Sequence, residues 1–253
     1  MMLARELRLL WWRKILETLR EPVWVLMGLM TPLLYLAFFA PVLRPLASGP
    51  GFAGDGVLAV FIPGILCLMA FGAGMGAGWI VVAELQTGVI ERLRVTPVSR
   101  FALVMGSVLR DTVRFVVPAL IVIGVAVPFG YHPDAGGTAL MLCLLCLLTA
   151  TVSAWSAALG VTLRDIGSLA AVVTGLQLPL TLPSGILLPL SLAPGWLRGL
   201  AHLDPLYYTV QAARLLSAGI VSDRTVAEGF LVVGALTWLT LTWAVRTFRT
   251  ATV

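Results

Sequence analysis

Charged positions in this chain are gathered at intervals, and between them lie six runs that contain no Asp, Glu, Lys or Arg: residues 22–43, 56–83, 115–131, 135–163, 166–197 and 229–245. Crossing a hydrocarbon core of about 30 Å takes roughly 20 apolar residues in a helix. The third and sixth runs fall short at 17 residues, but charged side chains at their ends can reach the headgroups. The pattern predicts an all-α membrane protein with six transmembrane helices, organised as one domain over residues 1–253. Composition agrees: 253 residues that are 59% hydrophobic and 11% charged, with a mean hydropathy of +0.99, carry too little polar surface to coat a water-soluble globule.

The segments around these runs carry more detail. Residues 9–21, "LLWWRKILETLRE", place Leu9, Trp11, Trp12, Ile15, Leu16 and Leu19 on one helical face. Arg13, Lys14, Glu17, Arg20 and Glu21 fall on the other, with Leu10 the misfit. Residues 1–21 therefore read as an interfacial helix on the inner membrane face, or as a basic flank, set off from the first span by Pro22. A cleaved leader does not fit, because its apolar stretch would be about 7–15 residues and five further runs follow this one.

Within the second run Gly72, Gly74, Gly76 and Gly78 alternate, giving two G-x-x-x-G pairs that allow a close helix neighbour, in the same subunit or in a second one. The fifth run is too long for one plain span and holds Pro179, Pro183, Gly185 and Pro189. It predicts a helix to about Leu182 followed by a bent or re-entrant piece near the outer face. Beyond it, Asp204 as N-cap, Pro205 as first helical residue and Gly219 near the stop predict a short external helix with Tyr207 and Tyr208 at the interface.

Positive charge sets the orientation. Arg5, Arg8, Arg13, Lys14 and Arg20 precede the first run, Arg92, Arg94, Arg100, Arg110 and Arg114 lie between the second and third, Arg164 follows the fourth, and Arg246 and Arg249 follow the sixth. Only Arg44, Arg198, Arg214 and Arg224 fall on the other side. Both termini and the charged interval 84–100 are therefore expected in the cytoplasm. The net charge of +5 follows from this topology and anionic headgroups, without calling for nucleic acid.

Catalytic and cofactor chemistry is thin. The single lysine, Lys14, has no glycine near it, so a P-loop, whose lysine must reach the terminal phosphates, is not available. Cys143 and Cys146 form a Cys-x-x-Cys inside an uninterrupted apolar run, and Cys67 stands alone in another, which reads as buried small residues and not as a metal site. His132 and His202 fall in external loops, and the sequence carries no H-E-x-x-H and no G-x-S-x-G. None of the six runs holds the acidic or basic residue by which ion-coupled carriers mark their path. The nearest charges, Arg110, Asp111 and Arg114, read as an inner-leaflet cluster that snorkels to the interface, with Asp111 and Arg114 able to pair at i, i+3; contact with substrate is the alternative.

The stretch "ELQTGVIERLRVTPVSR", residues 84–100, preceded by "FIPGILCLMAFGAGMGAG", closely resembles the first cytoplasmic loop of the type-2 ABC exporter permeases, in particular the daunorubicin-resistance-like drug exporters. The matching positions are Glu84, Gly88, Glu91, Arg92, Leu93, Thr96, Pro97, Val98, Ser99 and Arg100. "LRDIGSLAAVVTGLQLPLTLPSGILLPL" and "PGWLRGLAHLDPLYYTVQAAR" look like that family's fifth span and external segment, so the likeness covers nearly the whole chain.

The resemblance implies a permease that forms a dimer and joins two copies of a separate nucleotide-binding subunit, with ATP and magnesium held there and none in this chain. It implies that residues 84–100 form the coupling helix that seats in the ATPase. Glu84 and Glu91, two helical turns apart, would share a face, Arg92 and Arg94 would meet the partner, Gly88 would allow close approach, and Thr96-Pro97 would end the element. The expected function is export of a hydrophobic or amphipathic compound, such as a drug or antibiotic, across a bacterial cytoplasmic membrane. Pro179, Pro183, Gly185, Tyr207 and Tyr208 would belong to an outer gate. Export of a lipid-linked sugar or lipo-oligosaccharide is the alternative within the family; a stand-alone secondary transporter and a membrane enzyme are the alternatives outside it.

Overall fold

The computed structural model describes residues 22–43, 56–88, 100–186 and 194–250. Among them every regular element is helical: α1 (Pro22–Leu43), α2 (Gly56–Gln86), α3 (Arg100–Ala126) with a 3-10 turn at Val127–Phe129, α4 (Ala135–Leu163), α5 (Ile166–Thr181), α6 (Gly195–Ala201), α7 (Pro205–Ser217) and α8 (Arg224–Thr250). Four stretches are long and apolar enough to cross a membrane, residues 58–86, 101–129, 135–163 and 224–248. Shorter apolar segments, Gly28–Phe38 within α1 and all of α5, accompany them.

Helix α4 is the centre of the bundle. It packs most extensively on α2, then on α8, α3 and α7. Its buried face runs from Met141, Leu144, Leu145 and Leu148 to Ala154, Ala157, Ala158 and Val161. Phe115, Ala119 and Val122 of α3 and Ile62, Leu66 and Ala70 of α2 close the core around the first half of that face. The outward positions are also apolar: Leu231, Trp238, Leu239 and Trp243 on α8 and Val117, Leu120 and Ile121 on α3 are exposed. A belt of this kind is stable only against lipid or another apolar surface.

Local sequence explains the element ends. Asp134 caps α4, accepting from the Gly137 N–H at 2.7 Å, and Asp165 caps α5, accepting from the Ser168 N–H at 2.7 Å. Between α4 and α5 the chain turns in two residues, with Arg164 at φ +56°. Asp204 caps α7 and Pro205 opens it, as the sequence predicts, and Gly219 at φ +80° follows its end.

Two boundaries differ from expectation. The third span does not begin at residue 115: α3 runs unbroken from Arg100, taking Arg110, Asp111 and Arg114 into the helix. A search for charge-free runs cuts a helix wherever a charge stands, even one that is satisfied inside the protein. Similarly the last span, expected at 229–245, is part of the longer α8. Pro179 does not break α5 but lies inside it; the helix ends two residues later, close to the predicted stop at Leu182. The interfacial helix expected over 1–21 and Pro189 lie outside the described residues.

Candidate functional site: a glycine seam, a buried ion pair and the α7 clasp

Every third or fourth residue along one face of α4 is small or hydroxylated: Thr149, Ser153, Ser156 and Gly160. That stripe meets the glycines of α2. A methyl group on Gly74 would lie 2.8 Å from the Thr149 carbonyl oxygen and the Ser153 nitrogen, and one on Gly78 would lie 2.6 Å from the Ser156 carbonyl oxygen. Gly160 in turn faces the Gly78 backbone. Hydroxyls lock the approach: Ser156 Oγ donates to the Met75 carbonyl (2.6 Å) and accepts from the Gly78 N–H (3.0 Å), while Thr149 Oγ1 donates to the Ala70 carbonyl (3.2 Å). The pair Gly74/Gly78 thus serves packing within the chain. Gly72 and Gly76 look away from it, with no atom within 4 Å of an added methyl. On the opposite side of α4, Thr151 and Thr237 of α8 share a hydroxyl hydrogen bond of 2.7 Å.

At the seam sits a charged group. Arg110 and Asp111 on α3 are 2% and 1% exposed, and the guanidinium Nε donates to Asp111 Oδ1 at 2.8 Å. Ser153 Oγ of α4 donates to the other carboxylate oxygen, Oδ2, at 2.7 Å. Asp111 stands about 16 Å along α3 from Arg100, at 1.5 Å per residue. The expected snorkelling cluster is therefore corrected: Arg110 and Asp111 do not reach the interface but are enclosed by protein. Neutralisation by an adjacent opposite charge, plus a hydroxyl donor, makes burial tolerable where a lone charge would be expelled. Asp111 is paired with Arg110, and Arg114 is half-buried. The Arg110 Nη2 atom also lies 2.8 Å from Asp111 Oδ1, but at an angle that makes no hydrogen bond.

The residues of the resembling loop divide. Glu84 lies on α2, within its last turn. Gly88 follows the helix end at φ +71°, its N–H donating to the Leu85 carbonyl at 3.2 Å, while Thr87 Oγ1 donates to the Ala83 carbonyl at 2.8 Å. This is a left-handed glycine stop. It corrects one expectation: a continuous helix cannot carry Glu84 and Glu91 on a common face, because α2 ends between them, and Gly88 makes the turn. Glu91, Arg92, Arg94, Thr96 and Pro97 lie outside the described residues.

At the end of the bundle that holds the α3–α4 and α5–α7 connections, the residues expected at an outer gate fall into two groups. Past Thr181 the chain leaves helix, with Pro183, Ser184, Gly185 and Ile186 buried, Pro179 exposed and Gly185 at φ +74°. Tyr207 and Tyr208 instead gather with His202 about two turns away along α7: Tyr207 stands edge-on to His202 (centroids 5.0 Å) and to Tyr208 (5.3 Å), and Tyr208 OH donates to the His202 carbonyl at 3.0 Å. What joins α7 to the broken segment is a residue that sequence reading counted only as one external charge, Arg214. Its Nε donates to the Val60 carbonyl of α2 (3.2 Å) and its Nη2 to the Gly185 carbonyl (2.6 Å), with Ile186 O at 3.5 Å. At the start of α7, Asp204 Oδ1 accepts from the Leu206 N–H (2.9 Å), while Oδ2 is buried with no partner among the described residues. Burial pushes this carboxyl up to about 6, against the smaller opposing effect of the Leu206 N–H.

Long apolar helices knit by glycine and hydroxyl contacts around a buried charge pair have the build of a polytopic membrane protein. Among the described residues no cluster of three His, Cys, Asp or Glu could hold a metal. Residues 5–216 match the ABC-2 type transporter family, and the chain belongs to it. It is 28% identical over 214 residues to "Putative transport permease ycf38" of Cyanophora paradoxa, covering 84% of this chain and 74% of that one. It is 24% identical over 212 residues to the "Daunorubicin resistance ABC transporter permease protein DrrB1" of Streptomyces coeruleorubidus, covering 82% and 73%. With the "Inner membrane transport permease YadH" of Escherichia coli (strain K12) it shares 28% identity over 160 residues, 61% of this chain and 60% of the relative. The chain is accordingly a membrane transport permease and not an enzyme in its own right.

Proposed function

We propose that this chain is the membrane-spanning subunit of an ATP-driven exporter that moves a hydrophobic or amphipathic compound, such as a drug or antibiotic, out of a bacterial cell. The observation that carries the reading is the family match over residues 5–216 in a chain without a P-loop lysine. The energy must then come from a separate ATPase that holds ATP and magnesium. Two permease copies would pair and two ATPase copies would bind them. On this reading α1 and α5 complete a six-span layout with the four longer helices, both termini face the cytoplasm, and the whole chain works as one transmembrane domain. Similarity to the daunorubicin-resistance permease supports a drug-like cargo.

Coupling would run through residues 84–100. Glu84 would leave α2 towards the ATPase, Gly88 would turn the chain, and Glu91, Arg92 and Arg94 would meet the partner's surface, where complementary charge fixes register. Closure of the ATPase pair would then act on α2 and α3 at once, the two helices that this segment joins, and through the α2–α4 seam on the rest of the bundle.

The test is co-expression with candidate ATPase subunits, followed by co-purification and ATP turnover for wild type and Glu91→Lys. Co-purification and cargo-stimulated turnover that both fall about tenfold or more in Glu91→Lys, the loss expected when a charge is reversed at an interface, support the reading. A chain that binds no ATPase and transports in proteoliposomes under an ion gradient alone overturns it.

A further inference from the structure

The charges of a membrane protein's external loops ordinarily point into water, yet the Arg214 guanidinium is turned inward onto three backbone carbonyls from two elements other than its own helix. Two of those carbonyls have a clear reason to need a donor. Gly185 and Ile186 follow the end of α5 and have left the helical ladder, and in a water-poor setting an unpaired carbonyl is costly. Val60 lies on α2 three residues before Pro63, whose missing N–H leaves the neighbouring Ala59 without its helical donor and disturbs the ladder there.

A second contact, a backbone approach made beside the Arg214 bonds, holds the same pieces together. Gly64, one turn after Val60 on α2, packs so closely on Ile186 that an added methyl would overlap the Ile186 carbonyl oxygen. Gly185 reaches its own position through a φ of +74°, a conformation that glycine adopts cheaply. Three residues beyond Gly64, the Cys67 thiol is fully buried and within electrostatic reach of the guanidinium.

We propose that Arg214 is the latch of this end of the bundle: its guanidinium holds the broken segment after α5 onto α2 and α7, and the transport cycle opens that end by drawing Arg214 off the Gly185 and Ile186 carbonyls. The second half of the proposal rests on the transport reading above; the first does not. Arginine suits the task because its planar fork can serve several acceptors at once while staying charged, so the bonds it makes are of the stronger, charge-assisted kind. A lysine at the same place could satisfy fewer of the three carbonyls. Release of the latch uncovers a stretch of α2 that includes Cys67, which supplies a direct readout.

The experiment is maleimide labelling of the full chain in proteoliposomes, in a Cys143→Ala, Cys146→Ala background that leaves Cys67 as the single thiol. With Arg214 in place the rate is slow. Arg214→Gln is expected to raise it about tenfold or more, the scale of losing charge-assisted bonds that oppose a local opening. Arg214→Lys should fall between, and Gly64→Ala, which keeps the Arg214 side chain but wedges away the Ile186 carbonyl that it reaches, should raise the rate as well. Gly72→Ala, whose methyl meets open space, should not. Well-folded Arg214→Gln protein, judged by a monodisperse elution profile, with unchanged labelling overturns the latch; should that variant not fold, unchanged labelling in both Arg214→Lys and Gly64→Ala does so. For the cycle, the same background is labelled during ATP turnover with the ATPase partner. Faster labelling supports gating, and unchanged labelling during demonstrated turnover overturns it. A chain that acquires no ATPase activity from any partner fails the transport reading instead, and does so without touching the labelling result.

Discussion

Replacing Asp111 with alanine strips the counter-charge from a guanidinium that is 2% exposed. Arg110 would then be left inside the bundle with the loss of a 2.8 Å charge-assisted bond, and Ser153 Oγ would lose its acceptor at 2.7 Å. Removing one member of a buried pair costs about 3–5 kcal/mol, because the remaining charge is neither solvated nor paired. Removing both is different: Arg110→Met with Asp111→Leu takes away the charge and the desolvation together, and pairs treated so come out neutral to stabilised by about 1–4 kcal/mol. Ser153→Ala removes only one bond to a charged acceptor, worth about 1.5–3 kcal/mol. The assay is thermal unfolding of the purified chain in detergent, where about 1 kcal/mol moves the midpoint by about 2–4 °C for a chain of this size. Asp111→Ala should therefore fall by about 10 °C, Ser153→Ala by less, and the double replacement should recover most of the loss. If Asp111→Ala and Arg110→Met each shift the midpoint by no more than about 2 °C, the two charges are solvated, and the enclosed pair described above is refuted.

Two further outcomes follow from the same geometry. Gly74→Ala and Gly78→Ala push methyls into the α4 backbone and should each cost about 1–3 kcal/mol, whereas Gly72→Ala and Gly76→Ala, which meet nothing within 4 Å, should leave the unfolding midpoint unchanged; equal losses from both pairs would sink the seam. For Asp204 the sign runs against the usual carboxylate: its value is raised from 3.8 to about 6, so the folded chain binds the proton more tightly and stability declines as pH rises from 3.8 through about 6. Asp204→Asn, which keeps the cap on Leu206, should flatten that slope in unfolding curves recorded between pH 4 and pH 7; a slope that persists in the variant assigns it elsewhere.

Much of this architecture could be read in one dimension, because lipid imposes a one-dimensional rule: each crossing needs a long apolar stretch, and charges mark where stretches stop. The same rule explains where the reading slipped. It cannot see a charge that has been neutralised by its neighbour, so it cuts α3 short at Arg114, and it cannot tell an arginine in water from one that binds carbonyls, so it counts Arg214 only as an external charge. A stripe of Thr149, Ser153, Ser156 and Gly160 facing Gly74 and Gly78 was present as a spacing on each helix, but the match between two helices 70 to 80 residues apart exists only once they are packed.

The sequence by itself determined that the chain lives in a membrane, that it carries no P-loop lysine, where α7 is capped, and to which family it is similar. Each of those is a property of composition or of residues close together along the chain. Only the tertiary structure decided which of two glycine pairs is used within the chain, that Arg110 and Asp111 are enclosed, that α2 stops at Gln86 before the turn at Gly88, and that Arg214 ties three segments together. Those depend on which distant atoms come within hydrogen-bonding or van der Waals range, and a close approach of two backbones leaves no mark in a linear pattern until both are in place.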